Sequence, residues 1–91
     1  MDHNSLTLEE IRTAIDEADT ILLKALASRF RAVRVLKKIK EHTGIPVQDP
    51  EREEQLKQLW KKQAQDLDIP ESLALLMLDF ILAESRQTQA L

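Results

Sequence analysis

Arg12, Arg29 and Lys40 stand on heptad lines that the N-terminal half of the chain otherwise fills mainly with Leu, Ile and Val. One line reads Leu8, Ile15, Leu22, Arg29, Leu36, and a second reads Arg12, Asp19, Leu26, Val33, Lys40. Four ionisable groups thus occupy positions that helical periodicity reserves for apolar side chains. Downstream, Leu56, Trp60, Gln63 and Leu67 continue backwards, in helical steps, onto Glu53. Leu75, Leu78 and Leu82 lead onto Ser85 and Gln89, which share a helix face. Long cations, a carboxylate, a hydroxyl and an amide are a good set for gripping a small dianion. Arginine matches a carboxylate through two parallel hydrogen bonds, lysine supplies a point charge, and a carboxylate accepts from a hydroxyl. The set has no cysteine and no histidine on a seam, so covalent or acid–base catalysis has few candidates. Catalysis by shape and electrostatics remains, and it requires a reaction that is unimolecular from the start.

Taken singly, each residue has a plain structural reading. A lone arginine on a seam is commonly a snorkelling or ion-paired residue. Asp19 reads as the structural partner of a buried cation, and Glu53 as an early-turn acid favoured by the helix dipole. Ser85 and Gln89 also fit the frayed end of a surface helix. Taken together, they place polar groups on the seams of every helical segment, inside what is otherwise a Leu, Ile and Val bundle. Desolvated polar groups are costly unless something satisfies them, and a ligand is the economical answer.

The elements that must position these residues follow from local signals. Thr7 and Glu10 form a capping-box pair that opens a first helix, over about 7–43. Gly44 then suits a left-handed cap and Pro46 prevents continuation. Asp49 as N-cap with Pro50 behind it opens a second helix, over about 50–67. Asp68, Ile69 and Pro70 restart the chain for a third helix, over about 69–90. The expected fold is all-α, with three helices per chain in a single domain, 1–91. A helix from Leu8 to His42 is about 52 Å long, against about 27 to 35 Å for the other two. A compact chain of this size has a radius of gyration of only about 12 Å. The apolar stripe of the first helix therefore needs a second chain to cover it, and an intertwined helical homodimer is expected. A coiled-coil or scaffolding segment shares the same periodicity.

Bulk composition narrows the classes. With 91 residues, 43% apolar and 32% charged, the chain has room for one core. The one Gly and three Pro all lie between Gly44 and Pro70, so nothing earlier forbids helix. Zero cysteines exclude disulfides and thiolate metal sites and fit a cytoplasmic protein, and two histidines are too few for a metal cluster. No apolar run reaches the length of a membrane span, and the acidic start Met1-Asp2-His3-Asn4 lacks the features of a signal peptide. A net charge of -3 argues against nucleic acid as partner.

One family carries these residues at these separations. Ile11-Arg12-Thr13-Ala14-Ile15-Asp16-Glu17-Ala18-Asp19, Leu26-Ala27-Ser28-Arg29, Lys40, Val47-Gln48-Asp49-Pro50-Glu51-Arg52-Glu53, Ser85 and Gln89 resemble the all-helical chorismate mutases over essentially the whole chain. The resemblance implies an isomerase of phenylalanine and tyrosine biosynthesis that converts chorismate to prephenate by a concerted Claisen rearrangement, with no cofactor and no metal. It implies that Arg29 and Ser85 hold the ring-side carboxylate, while Arg12 of the partner subunit holds the enolpyruvyl carboxylate. Lys40 would contact that carboxylate and the ether oxygen, with Gln89 donating to the same oxygen. Glu53 would accept from the ring hydroxyl, assisted by the backbone at Asp49, and Arg52 would contribute nearby charge. If Arg12 and Lys40 serve one site, helix length alone requires them to come from different chains. Arg12 and Lys40 are 28 residues apart, about 42 Å along one helix, several times the reach of either side chain.

One position departs from the pattern: many relatives place Gly three residues before the lysine, and here it is Lys37. Packing of other helices near Lys40 must differ accordingly. Isochorismate pyruvate lyase shares the fold and the cations implied by the resemblance, but a hydroxyl acceptor at Glu53 belongs to the mutase pattern. A non-catalytic helical interaction module is a third reading. It would tolerate apolar replacement of Arg29 and Lys40.

Overall fold

The computed structural model describes residues 6–46 and 49–90; Val47 and Gln48, part of the family-like string, lie outside the described residues, as does the N-terminal start. The described residues form three helices and no strand: α1 (Leu8–Thr43), α2 (Pro50–Asp66) and α3 (Glu71–Ala90). The all-α, three-helix expectation holds.

Each boundary has a local cause. Thr7 Oγ1 accepts from the Glu10 N–H at 3.1 Å, which satisfies one of the orphan donors of α1, and the Thr7 carbonyl accepts from Ile11 at 3.1 Å as the first bond of the helix. At the other end Gly44 adopts φ 72° and its N–H returns to the Lys40 carbonyl at 2.9 Å. A Cβ at Gly44 would meet nothing within 4 Å, so the demand for glycine is purely one of backbone conformation. In α2, Asp49 Oδ1 accepts from the Arg52 N–H and the Asp49 carbonyl from the Glu53 N–H, both at 3.0 Å, with Pro50 in the first turn.

The turn after α2 works differently from its sequence reading. Asp68 does not restart the chain; it stands at φ 56° as the left-handed residue that ends α2. Its N–H reaches the Gln65 carbonyl at 3.3 Å, and the Ile69 N–H reaches the Ala64 carbonyl at 2.8 Å, which is a Schellman motif with Asp in the usual glycine position. The restart falls to Pro70, whose carbonyl accepts from Ala74 at 3.1 Å.

The chain divides into two units, Met1–Ala32 and Val33–Leu91. In the first, α1 runs with its apolar seam in solvent: Leu8, Ile15 and Leu22 are 63%, 54% and 45% exposed. Asp19 is exposed too and joins no ion pair among the described residues, so it does not serve as partner to a buried cation there. In the second unit α2 and α3 pack against each other as an antiparallel pair across the tight turn. Ala64, Ala74, Leu78 and Leu82 are its buried apolar side chains, joined by Val33. The buried row of α3 reads Ala74, Leu78, Leu82, Ser85, one helical stripe that turns polar at its C-terminal end. Its phase differs slightly from the sequence reading, since Ala74 is buried and Leu75 only half-buried. Likewise α2 turns in Ala64 rather than Gln63 or Leu67, which are exposed.

Candidate active site

The polar end of the α3 stripe lies where α1 terminates. Lys40 Nζ donates to Gln89 Oε1 at 2.7 Å, joining residues 49 apart in sequence. Lysine can only donate, so the amide atom facing it is the oxygen and the Gln89 nitrogen points elsewhere. That nitrogen donates to the Ser85 carbonyl at 3.2 Å, one turn back on α3. An amide nitrogen carries two hydrogens, and this contact uses one of them. Ser85 is 8% exposed, the one buried polar residue among the described ones, and its Oγ donates to the Ile81 carbonyl at 2.8 Å. An open pocket of about 120 Å³ adjoins this cluster, lined by Lys37, Lys40, Glu41, Ile45 and Gln89. Lys37, the residue that departs from the family pattern, therefore adds a half-buried cation to the pocket wall.

Glu53 lies in the first turn of α2, half-buried, with Oε1 2.8 Å from Arg86 Nη1 of α3. Arg86 sits on the flank of the α3 stripe, where heptad periodicity does not mark it. The one available signal was its neighbourhood, next to Ser85 and three residues before Gln89. Asp49 spends its side chain and its carbonyl on capping α2, and so fixes where Glu53 starts from. The Arg52 side chain is exposed at the same helix start.

Val33–Leu91 thus contains Lys40, Asp49, Arg52, Glu53, Ser85 and Gln89, and within it Lys40, Ser85 and Gln89 are linked directly. Arg12 and Arg29 belong to Met1–Ala32, where Arg12 is exposed and Arg29 half-buried. A second cavity of about 180 Å³ is lined by Trp60, Gln63, Ala64, Leu67, Ile69, Ala74 and Met77. None of these lining residues carries a formal charge. Among the described residues no group of three or more His, Cys, Asp or Glu is placed to hold a metal ion.

The model of one family, chorismate mutase type II, matches residues 11–90 and so spans every one of these positions. The chain belongs to the type II chorismate mutase family. Family membership makes it a chorismate mutase, an isomerase whose substrate is chorismate. The chorismate mutase of Methanocaldococcus jannaschii is 30% identical over 82 residues, covering 90% of this chain and 83% of that protein. The T-protein of Enterobacter agglomerans is 33% identical over 78 residues, covering 86% of this chain but 21% of its own length. No solved structure gives a significant match. A cation, an amide and a buried hydroxyl are thus gathered where the end of α1 meets α3.

Proposed function

We propose that the chain catalyses the Claisen rearrangement of chorismate to prephenate as a homodimer with two shared sites and without a cofactor. The observation that carries this reading is the 2.7 Å contact of Lys40 with Gln89. It joins the two groups whose hydrogens would meet the ether oxygen as its bond to the ring breaks and negative charge grows there. Preorganised donors aimed at developing charge lower the barrier without reorganising during the reaction. Gln89 supplies an N–H for this through the hydrogen it does not use on Ser85. Arg29 and Ser85 hold the ring carboxylate, Arg12 of the partner subunit and Lys40 the enolpyruvyl carboxylate, and together they compress the substrate into its reactive diaxial form. Glu53 accepts from the ring hydroxyl, with the Asp49 backbone beside it and Arg52 adding charge at the rim. Two features support the homodimer: the apolar row of Leu8, Ile15 and Leu22 exposed in the single chain, and the 28 residues that separate Arg12 from Lys40.

Work in the cytoplasm, in phenylalanine and tyrosine biosynthesis, fits a chain with zero cysteines. No helix among the described residues is long and apolar enough to cross a membrane. The deciding experiment incubates the purified protein with chorismate and, separately, with isochorismate, and identifies the products. Prephenate from the first is the expected result. Pyruvate and salicylate from the second, with chorismate untouched, would make it a lyase instead.

A further inference from the structure

We propose that Arg86 is a positioning residue for this reaction: it holds the Glu53 carboxylate in the orientation that accepts the substrate's ring hydroxyl. The inference rests on the reading of Glu53 as that acceptor. Arg86 Nη1 donates to Glu53 Oε1 at 2.8 Å, across the α2–α3 contact, between residues 33 apart in sequence. Glu53 is already fixed at its backbone, where its N–H is bonded to the Asp49 carbonyl. The remaining freedom lies in its side-chain torsions, and Arg86 pins the far end of those. One carboxylate oxygen is engaged by Arg86, and the carboxylate has a second with which to meet a hydroxyl. Arg86 itself is anchored on the helix that presents the site, one residue after buried Ser85 and three before Gln89. The pair therefore references the hydroxyl acceptor on α2 to the ether-oxygen donor on α3.

A purely stabilising role explains the pair poorly. The two side chains are 37% and 26% exposed, and ion pairs so open to water add little to folding. What such a pair does supply is order. Immobilising a flexible side chain at the moment of binding weakens binding by about two- to tenfold, a loss avoided when it is held beforehand. The hydroxyl sits on the carbon next to the one whose ether bond breaks, but it neither leaves nor takes up the developing charge, so its contact is nearly equal in the ground and transition states and acts on KM more than on kcat.

The test uses the full chain with chorismate and with a chorismate analogue lacking the ring hydroxyl. Arg86→Leu is expected to raise KM for chorismate about two- to tenfold with kcat within about twofold. Arg86→Lys, which keeps the charge without the planar fork, should recover part of the loss. With the dehydroxy analogue the Arg86→Leu effect should vanish, and in a Glu53→Ala background it should vanish with chorismate as well. An equal loss on the analogue, fading at high salt, would show that Arg86 acts only as a distant charge on the dianion and would overturn the proposal. Additive losses in the double variant, or an unchanged KM in Arg86→Leu, would overturn it too. If Arg86→Leu does not fold, Arg86→Gln, which keeps a neutral donor, is read by the same criteria. The underlying reading fails separately, and takes the proposal with it, if Glu53→Ala itself discriminates no differently between chorismate and the analogue.

Discussion

The two units of the chain differ in how far one polypeptide can finish its own packing. Val33–Leu91 buries Leu78 completely, satisfies both ends of α2, and brings Lys40, Ser85 and Gln89 into direct contact. Met1–Ala32 presents the opposite condition, an apolar seam left in water and an exposed Arg12. The contrast teaches that one chain by itself links Lys40, Gln89 and Ser85, whereas it leaves the apolar seam of α1 uncovered. Burial of that seam and delivery of Arg12 to a site are, on the proposed reading, one event.

Breaking the finished region should have the largest effect. Lys40→Leu is expected to reduce kcat about a thousandfold, the scale of losing one preorganised donor at developing charge. Its melting temperature should stay the same or rise, since an apolar residue at a half-buried seam position avoids desolvating an ammonium group. Arg29→Leu should behave alike. If both variants unfold in a thermal melt, the cations form a structural network rather than a binding site.

The seam of α1 and the core of the second unit can then be set against each other. Leu78→Ala should destabilise the fold by about 2–5 kcal/mol in denaturant titrations, because the side chain is 0% exposed. Leu22→Asp, at a position 45% exposed in the single chain, should have little effect on an isolated helix face but dissociate a dimer that buries it. Sedimentation showing the same assembly for wild type and Leu22→Asp would remove this part of the seam from any interface.

Mixing sharpens the comparison further. Homodimers of Arg12→Ala and of Lys40→Ala should each be nearly inactive. Unfolded and refolded together, they should regain about one quarter of wild-type activity, because about half of randomly paired dimers are mixed and each mixed dimer has one intact site of two. No recovery, in a sample shown by mass spectrometry to contain mixed dimers, means that the two cations do not meet across subunits.

Gln89→Glu tests the amide through pH. At neutral pH the carboxylate would pair with Lys40 and repel the substrate's own anions, so turnover should be poor and return as pH falls, since only the acid form donates. The sign differs between the two kinetic parameters. In the free enzyme Lys40 favours the charged form and holds the new acid's pKa down, whereas bound substrate carboxylates push it up. Recovery of kcat, which reports the complex, should therefore begin at higher pH than recovery of kcat/KM. Coincident wild-type and variant profiles between about pH 5 and 8 would exclude Gln89 from the ether-oxygen role. The smallest effect belongs to Asp68→Gly. Relieving a left-handed non-glycine residue should stabilise the fold by about 0.5–1 kcal/mol, read as a small rise in melting temperature with activity unchanged.

How much of this was legible depended on range. Thr7, Gly44, Asp49 and Pro50 act within one turn of themselves, and their residue types state their roles, so the three helices could be read directly. Asp68 also acts locally, but aspartate is common at helix starts and only occasionally left-handed, so its type pointed to the wrong helix end. Heptad lines located Lys40, Ser85 and Gln89, because periodicity reports which residues share a face. It does not report the small rotations that exchanged Leu75 for Ala74 and Gln63 for Ala64. Nor does it reveal a partner such as Arg86, whose long side chain reaches Glu53 from the flank of a neighbouring helix.

The stop signal of α1 has a consequence for motion. The Gly44 N–H closes on the carbonyl of Lys40, so the residue proposed to stabilise developing charge is also the acceptor of the last hydrogen bond of its helix. Helix ends open locally far more often than whole domains unfold. Each opening of this final turn releases the backbone from which the Lys40 ammonium is aimed. The free energy of that local opening, measurable as amide exchange at Gly44, sets the fraction of time for which the cation is correctly pointed. A fold that remains intact by every global probe can thus lose turnover on warming, one helical turn at a time.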